Sequence, residues 1–166
     1  KIFTQLGVPT TLLFTSFYWD NLVFFGMGPK RDERGLAITL PMGDKKLPGI
    51  AAADIGKCAY GIFKEGAAYI GKSVGISGEQ LTGAQMAAAL AKASGQPVRY
   101  NEVTPEVYRG FGFPGADDLG NMFQFKRDFN AMFCSARDPR VAKSLNPELQ
   151  SFEQWLAQNK SQIPVE

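Results

Sequence analysis

The sequence has no histidine, so it lacks the side chain that most often serves as general base and metal ligand at neutral pH. Only two cysteines occur, Cys58 and Cys134, far apart and each inside an apolar helical pattern. They read as reduced core thiols rather than a disulfide framework, which points to the cytoplasm. No cysteine or carboxylate cluster has zinc spacing, so no metal is expected. Apolar runs stay well short of the roughly 20 residues of a spanning helix, and Leu22 to Met27 is too short for a signal-peptide core. A soluble, intracellular protein without a membrane partner is expected. Charge of one sign is also scarce: the net charge is +2 and short basic pairs such as Lys30-Arg31 and Lys45-Lys46 are scattered. That is not the footprint of a nucleic-acid binder.

What is present fits one ordinary soluble domain: 166 residues, 45% hydrophobic and 20% charged, without internal repeat or low-complexity tract. Ile2 to Leu6 reads as the last turns of a helix ending at Gly7, which implies that further chain preceded it. Val8 to Ser16 reads as a strand. Because Leu12, Leu13 and Phe14 are contiguous and apolar, both faces of that strand would need cover, as in a parallel sheet between helices. Trp19-Asp20-Asn21 opens a short helix through Phe25, and Gly26, Gly28 and Pro29 stop it. Lys30 to Arg34 is expected to be a solvated loop. Leu36 to Leu40 and Leu47 to Ala51 read as strands of a hairpin turned at Gly43-Asp44.

Asp54 is placed as the N-cap of a helix carrying Ile55, Cys58, Ile62 and Phe63. Lys72 to Ser77 reads as a strand, and Thr82 to Gln85 as a capping box opening a helix that ends before Gly95. Val98 to Val103 is a further strand. Thr104-Pro105-Glu106 starts a helix broken by Gly110 to Gly115. A long helical pattern from Asp117 then carries Leu119, Met122, Phe123, Phe125, Phe129, Met132 and Phe133, implying burial on more than one face. Ser151 caps a last helix with Phe152, Trp155 and Leu156 on one stripe.

Tyr18, Trp19, Asp20 and Asn21 lie where a strand's carboxyl end meets a helix start, the place where open α/β sheets bind ligands. They read either as a ligand rim, with rings stacking on a flat heterocycle and Asn21 bonding its edge, or as core with Asn21 as a cap. Phe111 to Gly115 reads as a structural turn or as a mobile lid closing over an apolar ligand. Ser73, Ser77, Tyr60, Tyr100 and Tyr108 have no neighbouring base in the sequence, and no catalytic residue is assigned. Asp117 and Asp118 are adjacent on a helix and do not face each other, so they suit its N-terminus.

Gly7-Val8-Pro9-Thr10-Thr11, running through Phe17-Tyr18-Trp19-Asp20-Asn21-Leu22, resembles the NmrA-like family. Ala53-Asp54-Ile55-Gly56, Thr104-Pro105-Glu106-Val107-Tyr108, Gly112-Phe113-Pro114-Gly115-Ala116, Asp118-Leu119-Gly120-Asn121-Met122-Phe123 and Phe152-Glu153-Gln154-Trp155-Leu156 extend the resemblance along the chain, towards the NADP(H)-sensing branch. The resemblance implies an α/β fold, with residues 1–166 as the C-terminal part of a Rossmann-type doubly wound NAD(P)-binding domain of the atypical short-chain dehydrogenase/reductase kind, plus a small substrate or lid subdomain. It carries the cofactor site onto Tyr18, Trp19, Asp20 and Asn21. The glycine-rich pyrophosphate turn, and the basic residues that select the 2′-phosphate, belong to the family's N-terminal half. Neither lies in these residues, so NADP(H) binding is expected to require that half. The function implied is an NADP(H)-binding regulator or redox sensor with little or no catalysis, offering a surface to a protein partner or a second copy. One alternative is an NADPH-dependent reductase of small aromatic or quinone-like substrates, with Phe111, Phe113 and Phe123 lining the pocket. A cofactor-free interaction module is the other.

Overall fold

The computed structural model describes residues 2–165. In chain order the elements are α1 (Ile2–Gln5), β1 (Leu12–Phe14), β2 (Phe17–Tyr18), α2 (Asn21–Phe24), β3 (Lys30–Asp32), β4 (Gly35–Leu40), β5 (Lys46–Ile50) and α3 (Ala52–Glu65). They continue with β6 (Ser73–Gly75), β7 (Glu79–Thr82), α4 (Gly83–Ser94), β8 (Val98–Glu102), α5 (Pro105–Arg109), α6 (Ala116–Asp128), α7 (Asn130–Ser135), α8 (Pro139–Leu145) and α9 (Phe152–Asn159). Three small sheets result. β1 pairs in parallel with β6, β5 lies between parallel β2 and antiparallel β7, and β4 lies between antiparallel β3 and parallel β8.

Several expectations need correction. β4 and β5 do not form a hairpin: they lie in different sheets, because β4, apolar on both faces, is claimed in parallel by β8, aligning Leu36 with Val98 and Leu40 with Glu102. The hairpin is β3–β4 instead, formed by the segment expected to be a loop. Asp32 Oδ1 accepts from the Arg34 N–H at 2.8 Å and Gly35 takes φ +102°, which is turn chemistry between two strands. The separate strand β2 follows beyond the expected end at Ser16, and the first strand is shorter than expected, reduced to Leu12–Phe14. It is not covered on both faces, since Leu12 and Phe14 are about half exposed and, among the described strands, only β6 pairs with β1.

Asp54 does not cap α3; Ala51 holds that position. The Asp54 carboxylate is fully buried and accepts from Asn146 Nδ2 at 2.9 Å and from the Gln150 backbone N–H at 3.0 Å, tying α3 to the loop between α8 and α9. The long aromatic helix is two helices, α6 and α7. Phe123 and Phe133 are buried, whereas Phe125, Phe129 and Met132 face outward, so the apolar surface exceeds what the core covers. Helix α8, opened by Asp138 and Pro139, was not anticipated. The capping boxes of α4 and α9 and the Thr104 cap of α5 form as their spacing predicts.

The larger core gathers Phe17, Trp19, Leu22, Ile38, Leu40, Phe123, Phe152 and Trp155. At its centre Trp19 packs on Phe152 and Trp155, with ring centres 5.3 and 6.3 Å away. Glycine at 49 is what lets the indole lie on β5, because a Cβ there would overlap its nitrogen. A second core beneath α3 holds Ile50, Cys58, Val74, Ile76 and Leu145.

Candidate functional site

At the carboxyl end of β2 the chain turns from sheet to helix, and each of the four residues singled out there takes a different position. Tyr18 is 39% exposed, and its hydroxyl shares a hydrogen bond with Thr15 Oγ1 at 2.9 Å. The Trp19 backbone N–H continues the ladder to the Ile50 carbonyl at 3.0 Å, while its ring is buried in the core. Asp20 Oδ2 accepts from the Ala52 N–H at 2.7 Å, so it caps the first turn of α3 and joins the two helix starts. Asn21 opens α2 without capping it. Its carbonyl accepts from the Phe25 and Met27 N–H groups at 3.2 and 3.3 Å, and among the described residues its side-chain amide takes no partner. Tyr18 and Asn21 therefore offer a ring and an amide, while Trp19 and Asp20 hold the turn in shape.

The segment that Asn21 anchors forms one wall of a cavity of about 540 Å³, whose other walls come from β4, α5 and the glycine-rich turn after α5. Phe25, Tyr108, Phe111, Phe113 and Leu119 supply apolar surface. Lys30 and Thr39 are the polar side chains among its lining residues apart from the Tyr108 phenol; Thr39 Oγ1 accepts from Asn101 Nδ2 at 3.1 Å, which leaves its proton free to donate. Phe111 and Phe113, both part-exposed, pack on the Tyr108 ring at 5.3 and 5.8 Å. Phe123 is fully buried beneath Tyr108 at 5.5 Å and supports the cavity without lining it. Thus the structure brings Phe111 and Phe113 to one cavity and sets Phe123 a layer below. Phe25, Met27, Lys30 and Thr39 were missed by sequence reasoning; the glycines at 26 and 28 were the available signal for a chain bending back on itself.

Burial or hydrogen bonding holds Tyr108, Tyr100, Ser77 and Cys58 in structural roles. Burial pushes the Tyr108 phenol up to about 12, so it keeps its proton at neutral pH. Burial also raises the Tyr100 phenol to about 12, and its hydroxyl donates to the Leu40 and Gly43 carbonyls. Ser77 Oγ donates to the Arg137 carbonyl at 2.5 Å. The Cys58 thiol, pushed up to about 11 by burial and then by the charge of Asp54, faces the Ala142 carbonyl at 3.7 Å. Both cysteines are free.

Gly110-Phe111-Gly112-Phe113-Pro114-Gly115 spells G-x-G-x-x-G, yet it follows helix α5 rather than a strand. It therefore lacks the strand-to-helix context that seats a pyrophosphate. Among the described residues no cluster of His, Cys, Asp and Glu could hold a metal ion, and no helix is long and apolar enough to cross a membrane.

The family model described as NmrA-like family matches residues 1–156. An NAD(P)H azoreductase of Xenophilus azovorans is 32% identical over 127 residues, covering 72% of this chain and 43% of the relative. Among solved structures, the Citrobacter sp. triphenylmethane reductase complexed with NADP(H) shares the fold with a TM-score of 0.73 at 20% identity, over 93% of this chain and 54% of its own. The negative transcriptional regulator NmrA, in complex with NADP, matches with a TM-score of 0.67 at 23% identity, over 93% of this chain and 53% of its own. The α/β arrangement is thus that of Rossmann-type neighbours, and the chain spans about half the length of the relatives it matches.

Proposed function

The chain belongs to the NmrA-like family, and from that premise we propose that it helps bind NADP(H) at the Tyr18–Asn21 turn and holds a small aromatic or quinone-like electron acceptor in the cavity under Phe111 and Phe113. The observation that carries this reading is the cavity itself, walled by aromatic rings and joined to the turn through the Asn21 carbonyl. The residues fit the nicotinamide end of such a cofactor. The exposed Tyr18 ring can lie against a flat heterocycle, and the uncommitted Asn21 amide can bond its carboxamide. Residues 1–166 are on this reading the C-terminal portion of the NAD(P)-binding domain. The pyrophosphate seat lies outside them, and the open edge of β1 is where further strands would add.

When bound, the cofactor supplies hydride chemistry. The chain's own part is positioning and exclusion of water. Phe25, Phe111 and Phe113 sandwich a flat acceptor, and Lys30 and Thr39 bond its polar edge. The two free thiols accord with a cytoplasmic setting.

One observation favours a second reading, a sensor with little catalysis that presents a cofactor-dependent surface to a partner protein. Tyr108 is buried with its ring packed on Phe111, Phe113 and Phe123, so it serves the cavity as a wall. Both readings are tested by following loss of reduced-nicotinamide absorbance with a simple quinone, using the protein as its gene encodes it. Turnover that drops about tenfold or more in Phe113→Ala, with NADPH affinity unchanged, supports the reductase. Tight NADPH binding without turnover supports the sensor, and no NADPH binding overturns both.

A further inference from the structure

Outside the cavity, a buried lysine and a half-buried arginine lie close together without a counter-charge. Lys126 on α6 is 7% exposed, and its Nζ lies 5.6 and 5.5 Å from the ring centres of Phe123 and Phe133. Arg137, between α7 and α8, lays its guanidinium on the Phe133 ring with Cζ 3.8 Å from the centre. Its Nε donates to the Thr15 carbonyl at 2.7 Å, while its own carbonyl accepts from Ser77 Oγ and Gln80 Nε2, so the loop that carries it is pinned. Among the described residues no carboxylate lies within ion-pair distance of Lys126 or Arg137. Ser16, next to Thr15, is 8% exposed, and its Oγ has no hydrogen-bond partner.

Each of these features is costly alone. A buried ammonium loses hydration that only an acceptor or a counter-charge can replace, and a buried hydroxyl without a partner forfeits a further hydrogen bond. Burial, and then the charge of Arg137, hold the Lys126 ammonium down to about 8, as expected where nothing of opposite sign is near. Cation–π contact with two phenylalanines offsets part of the loss but leaves the ammonium hydrogens unused.

We propose that Lys126, Arg137 and Ser16 form a binding site for an oxyanion of a small ligand, a carboxylate or a phosphate, at the junction of β1 and β2. Because the Thr15 carbonyl occupies Nε of Arg137, the two terminal nitrogens of the guanidinium remain to fork onto the anion. Lys126 adds a point charge and Ser16 a hydroxyl donor, while Phe17, Phe123 and Phe133 keep the surroundings apolar. Through Thr15, whose Oγ1 bonds the Tyr18 hydroxyl, the site connects with the turn described above. The proposal does not depend on cofactor binding.

The test uses simple anions without nicotinamide. The protein as its gene encodes it, with lysines isotope-labelled at Cε, is titrated by NMR in chloride, in benzoate and in phosphate; the Lys126 signal is the one missing in Lys126→Met. The expected result is a saturable rise of about one unit or more in the Lys126 pKa with at least one oxyanion. Binding should weaken about tenfold in Lys126→Met and in Arg137→Met, and less in Ser16→Ala. An effect of benzoate alone identifies an organic acid as the ligand class, and one of phosphate alone a phosphorylated ligand. No shift with millimolar amounts of either anion, or equal affinity in a folded Lys126→Met, overturns the proposal.

Discussion

Lys126 shows how a single charge placed among rings makes stability depend on pH. Its ammonium, ordinarily near 10.5, is held down to about 8. Between these values the unfolded chain keeps a proton that the folded chain has released, so stability rises as the pH climbs from about 8 towards 10.5 and the full penalty applies below 8. The span corresponds to about 2–4 kcal/mol. In chloride, the urea midpoint of the wild type should rise relative to that of Lys126→Met over that range, the comparison removing the opposite trend from Cys58, Tyr100 and Tyr108, whose burial raises their pKa values and costs stability as the pH climbs. Lys126→Met should also be the more stable at neutral pH. Arg137 and Cys134 share the neighbourhood, and the comparison with Lys126→Met subtracts the titration of the Cys134 thiol. No sequence signal marked Lys126 as unusual, because a lysine between aromatics on an amphipathic helix ordinarily extends its ammonium to water. Trp19 was ambiguous for a related reason: the sequence places an indole at a sheet-to-helix turn, but only Gly49 and Gly78, distant in the chain, make room for it over β5.

Among the elements, those whose signals are local were legible. Thr82 Oγ1 accepts from the Gln85 N–H at 3.2 Å, and Gln85 Oε1 accepts from the Thr82 N–H at 2.9 Å, a reciprocal pair encoded within four residues of sequence. Thr82→Ala should lower stability by about 1 kcal/mol in urea denaturation; an unchanged midpoint would mean that packing alone holds the start of α4. Strand pairing was not legible, because it is decided between distant segments. β4 lies beside a turn signal at Gly43-Asp44 as a hairpin arm would, yet, apolar on both faces, it takes β8 as its parallel partner, while β5 takes β2 and β7. The α6–α7 break was hidden as well, since the apolar pattern runs on through Phe129 although the helix ends at Asp128. Beyond that point Phe129 is exposed while Phe133 turns into the core.

For the whole molecule, the outcome follows from the same division. The α/β class, the family and a turn that positions Tyr18 and Asn21 could be read from contiguous motifs. The cavity could not, because its walls come from the segment after α2, from β3 and β4, from α5, and from the glycine-rich turn and α6 that follow it, which only the sheet topology brings together. The strand expected to be covered on both faces lies instead at an open edge with Leu12 and Phe14 half exposed. That edge and the cavity flank one turn, which gives the proposed cofactor site its place in the fold. Calorimetric titration of NADPH into the protein as its gene encodes it, beside Tyr18→Ala and Asn21→Ala, tests this most directly. The account predicts saturable binding that each substitution weakens about tenfold, the loss of one stacking or one hydrogen-bonding contact. Equal affinity in the wild type and both variants would contradict it.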